Sequence, residues 1–76
     1  MCGAMPLDPL TAFGTRLREL REERGLSQEK LAEMADLHRN YVGQLERGNS
    51  NVSLLTIVKL AHSLNVKPVK LVEPVR

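Results

Sequence analysis

Within the stretch HRNYVGQLER, residues 38–47, three side chains are suited to reading the edges of nucleic-acid bases. Arg39 and Asn40 are neighbours, and Gln44 follows Asn40 by four positions. Arginine can donate two parallel hydrogen bonds to guanine O6 and N7. Asparagine and glutamine can exchange a donor and an acceptor with adenine N6 and N7. On a helix, a four-residue step stacks Asn40 and Gln44 on one face, one turn apart. Between them stands Gly43. A glycine inside a helix costs roughly 1 kcal/mol relative to alanine. It either opens a close approach of backbone to a base or phosphate, or is an exposed position where glycine is tolerated. Arg47 is a candidate phosphate clamp. The following loop, GNSNVS, offers the amides and hydroxyl of Asn49, Ser50 and Asn51 to neighbouring phosphates, or forms a generic polar turn.

These residues need a scaffold, and the spacing of apolar residues predicts one made only of helices. Asp8 and Pro9 suit an N-cap and a first helical position. Leu10, Phe13, Leu17, Leu20 and Arg24 then follow a helical stripe, interrupted by charges. Gly25 supplies a left-handed stop. Ser27 caps a second helix, QEKLAEMA, which turns Leu31, Ala32 and Ala35 inward. Asp36 occupies a turn where a left-handed residue is expected, and Leu37 plugs that turn. A third helix runs from about Arg39 to Arg47, with His38 at its N-cap, Val42 and Leu45 inward and Gly48 at its end. Ser53 caps a fourth helix, 54–64, with Leu54, Ile57, Leu60, Ala61 and Leu64 inward. Asn65 ends it. PVKLV forms a short fifth turn before Pro74. The expected organisation is a loose arm at 1–7, a domain at 8–72 and a tail at 73–76. Helices two and three are each too short to persist alone, so helices one and four must hold them.

Composition narrows the functions. The 76 residues suit one domain, and 42% hydrophobic content is enough for a core. One Phe, one Tyr and no Trp make that core aliphatic. Cys2 is the only cysteine, which excludes an internal disulfide and a cysteine-rich zinc site and fits a reducing cytosol. No apolar run approaches the ~20 residues of a membrane span, and MCGAMPLDPL lacks the pattern of a secretory signal. His38 and His62 have no Cys or Asp at zinc-ligand spacing. No nucleophile with a positioned base and no phosphate loop is apparent, so neither enzyme activity nor a cofactor is expected. The net charge of +2 permits a nucleic-acid partner without demanding one.

Residues 28–47 form one unit: short helix, tight turn, short helix. This is a helix-turn-helix, the unit that lays its second helix in the major groove of DNA. The segment from Leu17 to Val66, which carries the motifs RGLSQEKLA, YVGQLERG and LLTIVKLAHSLNV, resembles the phage repressor and Cro class of helix-turn-helix domains, the Xre family. The resemblance implies a compact five-helix lambda-repressor-like fold. It implies that Ser27 and Gln28 touch the DNA backbone at the start of helix two. It also implies a phosphate contact for Tyr41, whose ring can alternatively pack. Arg21 and Glu46 correspond to a largely buried ion pair joining helices one and three, a structural feature rather than a DNA contact.

Regulators of this class usually bind as two-fold dimers on half-sites about 34 Å apart. Leu55 and Val58 lie off the main stripe of helix four, and Val69 and Val72 are apolar in a segment that buries little by itself. These four are expected to build a homodimer face, the alternative being that they close the monomer core. The resulting expectation is a cytoplasmic, nucleoid-associated dimeric repressor or controller reading an inverted-repeat operator. No small-molecule effector is expected. The size resembles restriction–modification controllers and small phage repressors. An antitoxin that also regulates its own operon is the alternative. A protein-interaction module that does not bind DNA is disfavoured by the combination of Arg39, Asn40 and Gln44.

Overall fold

The computed structural model describes residues 8–75. Five helices follow one another: α1 (Pro9–Glu23), α2 (Gln28–Ala35), α3 (Arg39–Glu46), α4 (Leu54–Ser63) and α5 (Pro68–Val72). No strand occurs among the described residues.

Each of the first four helices begins with a side chain that accepts a free backbone N–H. Asp8 accepts from Thr11, Ser27 from Lys30, His38 Nδ1 from Asn40 and Ser53 from Thr56, at 2.9–3.1 Å. The Thr11 N–H, with its hydroxyl, holds the Asp8 carboxyl below its ordinary pKa.

The same four helices also end alike. A residue at positive φ follows each: Gly25 at 68°, Asp36 at 58°, Gly48 at 75° and Asn65 at 57°. Its N–H bonds to the carbonyl three residues back, and the next N–H bonds to the carbonyl five residues back. This is the Schellman stop, which satisfies carbonyls left free at a helix end. In three cases the following residue is apolar and packs against the core: Leu26, Leu37 and Val66. After α3 it is Asn49, which remains exposed.

The core is aliphatic apart from Phe13. Leu17, Leu31, Leu45, Leu60, Leu64, Leu71 and Val42 are completely buried, joined by Leu20, Ala32, Ala35 and Ala61. α1 crosses α3, α2 packs on both α3 and α4, and α5 closes against α4 and α1. Arg16 ties α1 to α5 by donating from Nε to the Lys70 carbonyl at 2.9 Å. Val75 also packs against the core, beyond the last helix.

Three positions depart from the inward stripes expected from spacing. Leu10 is only half buried, and Arg24 is exposed, its guanidinium donating to the Leu64 carbonyl at the far end of α4. Leu54 is 76% exposed. Thr56 takes the buried position in that turn, because Ser53 Oγ satisfies its hydroxyl at 3.0 Å and removes the cost of burying it. The expected arm at 1–7 lies outside the described residues.

Candidate nucleic-acid interface

α3 is fixed from behind by three devices. Val42 and Leu45 are buried in the core. Gly14 of α1 lies directly on the α3 backbone, where an added Cβ would collide with the Leu45 carbonyl and stand 2.7 Å from the Glu46 carbonyl oxygen. The third device is an ion pair. Arg21 Nε donates to Glu46 Oε2 at 2.6 Å and Nη2 to Oε1 at 3.1 Å, while Nη1 reaches the Leu26 carbonyl at 2.7 Å. The two side chains are 12% and 4% exposed. The hydrogen bond to Glu46 raises the Arg21 pKa, outweighing the desolvation that acts against the charged form.

The opposite face of α3 is left to solvent. Arg39, Asn40 and Gln44 are all exposed there. They line one open groove with Gln28 and Glu29 of α2, Gly43 and Arg47. The fold therefore brings together the three candidate base readers, two of the candidate phosphate ligands and the glycine. Ser27 is exposed just outside this groove, in a polar depression with Glu29, Lys30 and Glu33. Asn49 and Asn51 are exposed and Ser50 is half buried on the loop after α3.

Several of these side chains already have partners. Arg39 Nη1 lies 3.2 Å from Glu29 Oε2, an exposed pair that contributes little stability. Ser50 Oγ donates to Gln44 Oε1 at 2.9 Å. The Tyr41 hydroxyl donates to the Asn51 carbonyl at 2.9 Å while its ring packs partly on the core. Gln28 Nε2 donates to Glu46 Oε1 at 3.0 Å, so the buried pair extends outward to the groove.

At Gly43 the structure corrects one of the two alternatives, that of an exposed and merely tolerated glycine. It is buried rather than exposed, covered by the ends of two long side chains: a Cβ there would meet Arg47 Nη1 at 3.3 Å and Gln28 Oε1 at 3.4 Å. Sequence reasoning also missed Gly14, whose only signal was a glycine inside an otherwise favourable helix. It missed the Glu29–Arg39 and Ser50–Gln44 pairings, which join separate elements and have no periodic signature.

No helix among the described residues is long and apolar enough to cross a membrane. No group of three or more His, Cys, Asp or Glu that could hold a metal occurs among them.

A short helix, a left-handed turn and a second helix with a free polar face make up the helix-turn-helix class of DNA-binding architecture. The family model HTH_3, described as helix-turn-helix, matches residues 17–71, and the chain belongs to that family. Control protein C.BamHI of Bacillus amyloliquefaciens is 45% identical over 62 residues, 80% of this chain and 76% of the relative. The crystal structure of the restriction–modification controller C.AhdI from Aeromonas hydrophila matches with a TM-score of 0.81 at 56% identity, covering 82% of this chain and 94% of that one. SinR, a master regulator for biofilm formation solved in complex with DNA, matches at 0.75 with 32% identity, covering 78% and 95% of the two chains.

Proposed function

We propose that this chain is a sequence-specific regulator of transcription that inserts α3 into the major groove of double-stranded DNA. The observation that carries the reading is the division of α3 between two tasks. Val42 and Leu45 belong to the core, while Arg39, Asn40 and Gln44 are exposed on the outer face, where they line an open groove. Arg39 and Asn40 occupy the first turn, where a recognition helix lies nearest the base edges. Ser27, Gln28, Tyr41, Arg47, Asn49, Ser50 and Asn51 surround it as candidates for phosphate contact. The Arg39–Glu29 pair is solvent-exposed and opens at little cost when a base competes for the guanidinium. Its likeness to C.BamHI and C.AhdI, both named as controllers, and to a DNA-bound regulator supports the same reading. The site of action is the cytoplasm, on the nucleoid.

Selection of bound sequences from random duplexes tests this directly. The expected result is a defined inverted repeat, with half-site centres one helical turn apart. Enrichment of no sequence would defeat the proposal. Arg39→Ala is expected to cost about 1–3 kcal/mol at the selected site and to relax preference at one base pair. Equal losses on selected and random duplexes would instead make Arg39 a phosphate contact.

The functional unit is a homodimer. Leu54, Leu55 and Val58 on α4 and Val69 on α5 are 76%, 65%, 42% and 52% exposed. Val72 leans on the core instead and contributes less. Leu54, expected inward from the sequence, joins this outward set. Leu55→Lys leaves the buried residues untouched, so its unfolding transition should match the native chain. In sedimentation at tens of micromolar it should run as a monomer where the native chain runs as a dimer. Unchanged sedimentation would remove Leu55 from the interface.

A further inference from the structure

We propose that Glu29 sharpens the discrimination of the DNA-facing groove: its carboxylate neutralises Arg39, which keeps the arginine off phosphate and leaves it to a base edge. The proposal rests on the base-reading role given to Arg39 above.

Among the described residues, the charged side chains that line the groove are Arg39, Arg47 and Glu29. An acid is out of place there. A DNA-binding surface draws its sequence-independent affinity from cations that displace counterions from phosphate, and a carboxylate beside them opposes that. The first turn of α2 does suit an acid, through the helix dipole. That benefit does not depend on what the acid faces, and Glu33, one turn further on, lies outside the groove. Glu29 instead reaches α3, where its Oε2 stands 3.2 Å from Arg39 Nη1. Both side chains are exposed, so the pair opens and closes freely and adds little stability. What persists in either state is the negative charge on the wall of the groove.

That charge acts differently on the two kinds of partner open to Arg39. A phosphate is an anion. An arginine already neutralised by a carboxylate displaces few counterions on meeting one, and Glu29 repels it. A guanine edge is uncharged. It offers N7 and O6 as acceptors, and the guanidinium has five N–H groups, so it can bond guanine whether it keeps Glu29 or leaves it. Glu29 therefore weakens the hold of Arg39 on DNA of any sequence and spares its hold on guanine. The selectivity comes from repelling the wrong contact rather than from adding a right one.

The test compares the native chain, Glu29→Gln, Arg39→Ala and the double variant, each shown to be folded by its unfolding transition. Affinities for the selected duplex and for a random duplex are measured over a salt series from about 50 to 200 mM. Glu29→Gln is expected to bind the random duplex several-fold more tightly at the low-salt end. Its log–log salt slope there should be steeper by about 0.9 for each protomer, as Arg39 takes up a phosphate. Its affinity for the selected duplex should rise less, so the ratio between the two falls. On the Arg39→Ala background the same change should leave the slope as it is. Equal steepening on both backgrounds would make Glu29 a general repelling charge and overturn the proposal. So would an unchanged slope or an unchanged ratio. Selection from random duplexes completes the test. If Glu29→Gln flattens a base pair that Arg39→Ala leaves intact, Glu29 reads a base itself and the neutralising role falls. If Arg39→Ala flattens no base pair, Arg39 is not a reader and the proposal falls with that role. A flattened base pair with unchanged slopes overturns the proposal alone.

Discussion

Gly14→Ala is expected to destabilise the protein by about 2 kcal/mol, measured as a lower midpoint of urea unfolding. Overpacking a tight contact costs about 1–3 kcal/mol. The upper end applies because the obstacles are backbone: a Cβ at Gly14 would stand 2.7 Å from the Glu46 carbonyl oxygen and 2.8 Å from its carbon, and closer still to the Leu45 carbonyl. Alanine's better helix propensity returns about 1 kcal/mol, which does not reverse the sign. Relief must come from moving α1 away from α3, so DNA affinity should fall with stability. Gly43 supplies the contrast within the same fold. Its neighbours at 3.3 and 3.4 Å are the tips of Arg47 and Gln28, which can swing aside. Gly43→Ala should therefore stabilise the chain, by up to about 1 kcal/mol. A stable Gly43→Ala protein that binds its operator less tightly would mean that the closeness of backbone to DNA matters there. Stabilisation by Gly14→Ala would contradict the crossing described above.

The second large effect is expected at Arg21. Arg21→Met leaves the Glu46 carboxylate, 4% exposed, with the Gln28 amide as its one remaining hydrogen-bond donor among the described residues. Breaking a buried pair from one side typically costs about 3–5 kcal/mol, because an uncompensated charge stays behind. Against a total stability of about 5–15 kcal/mol, such a loss brings a domain of this size near unfolding. The double change Arg21→Met with Glu46→Leu should recover most of it, since apolar replacement of a whole buried pair is often neutral. Comparing the urea midpoints of the single and double variants decides the matter. A single variant within about 1 kcal/mol of the native chain would mean that water reaches Glu46 and that the pair is not truly enclosed.

Much of the fold was legible because the chain writes its helix limits locally. Asp8, Ser27, His38 and Ser53 stand at the expected starts, and Gly25, Asp36, Gly48 and Asn65 at the expected ends. What escaped was decided by contacts that hydrophobic periodicity does not encode. Leu54 is apolar and close to the α4 stripe, yet it stands in the first turn where no helix covers it, and Thr56 is buried instead. Periodicity alone cannot register that Ser53 makes a buried threonine hydroxyl acceptable. Gly14 and Gly43 are both helical glycines with opposite surroundings. Telling them apart requires knowing what crosses each one. The exposed triad Arg39, Asn40 and Gln44 was visible from residue type and spacing. The partners Glu29 and Ser50 come from another helix and a loop, and no spacing rule points to them.

The division of α3 also bears on how such a protein diverges. Its inner residues are constrained by Gly14, by the Arg21–Glu46 pair and by the leucines around them, so drift there is paid in stability. Arg39, Asn40 and Gln44 hold nothing in the core. On the proposed reading, exchanging those three would change the operator while the scaffold that presents them stays as it is. New specificities would then lie a few substitutions apart on one scaffold, so relatives with nearly superimposable backbones are expected to differ in the DNA sites they answer to.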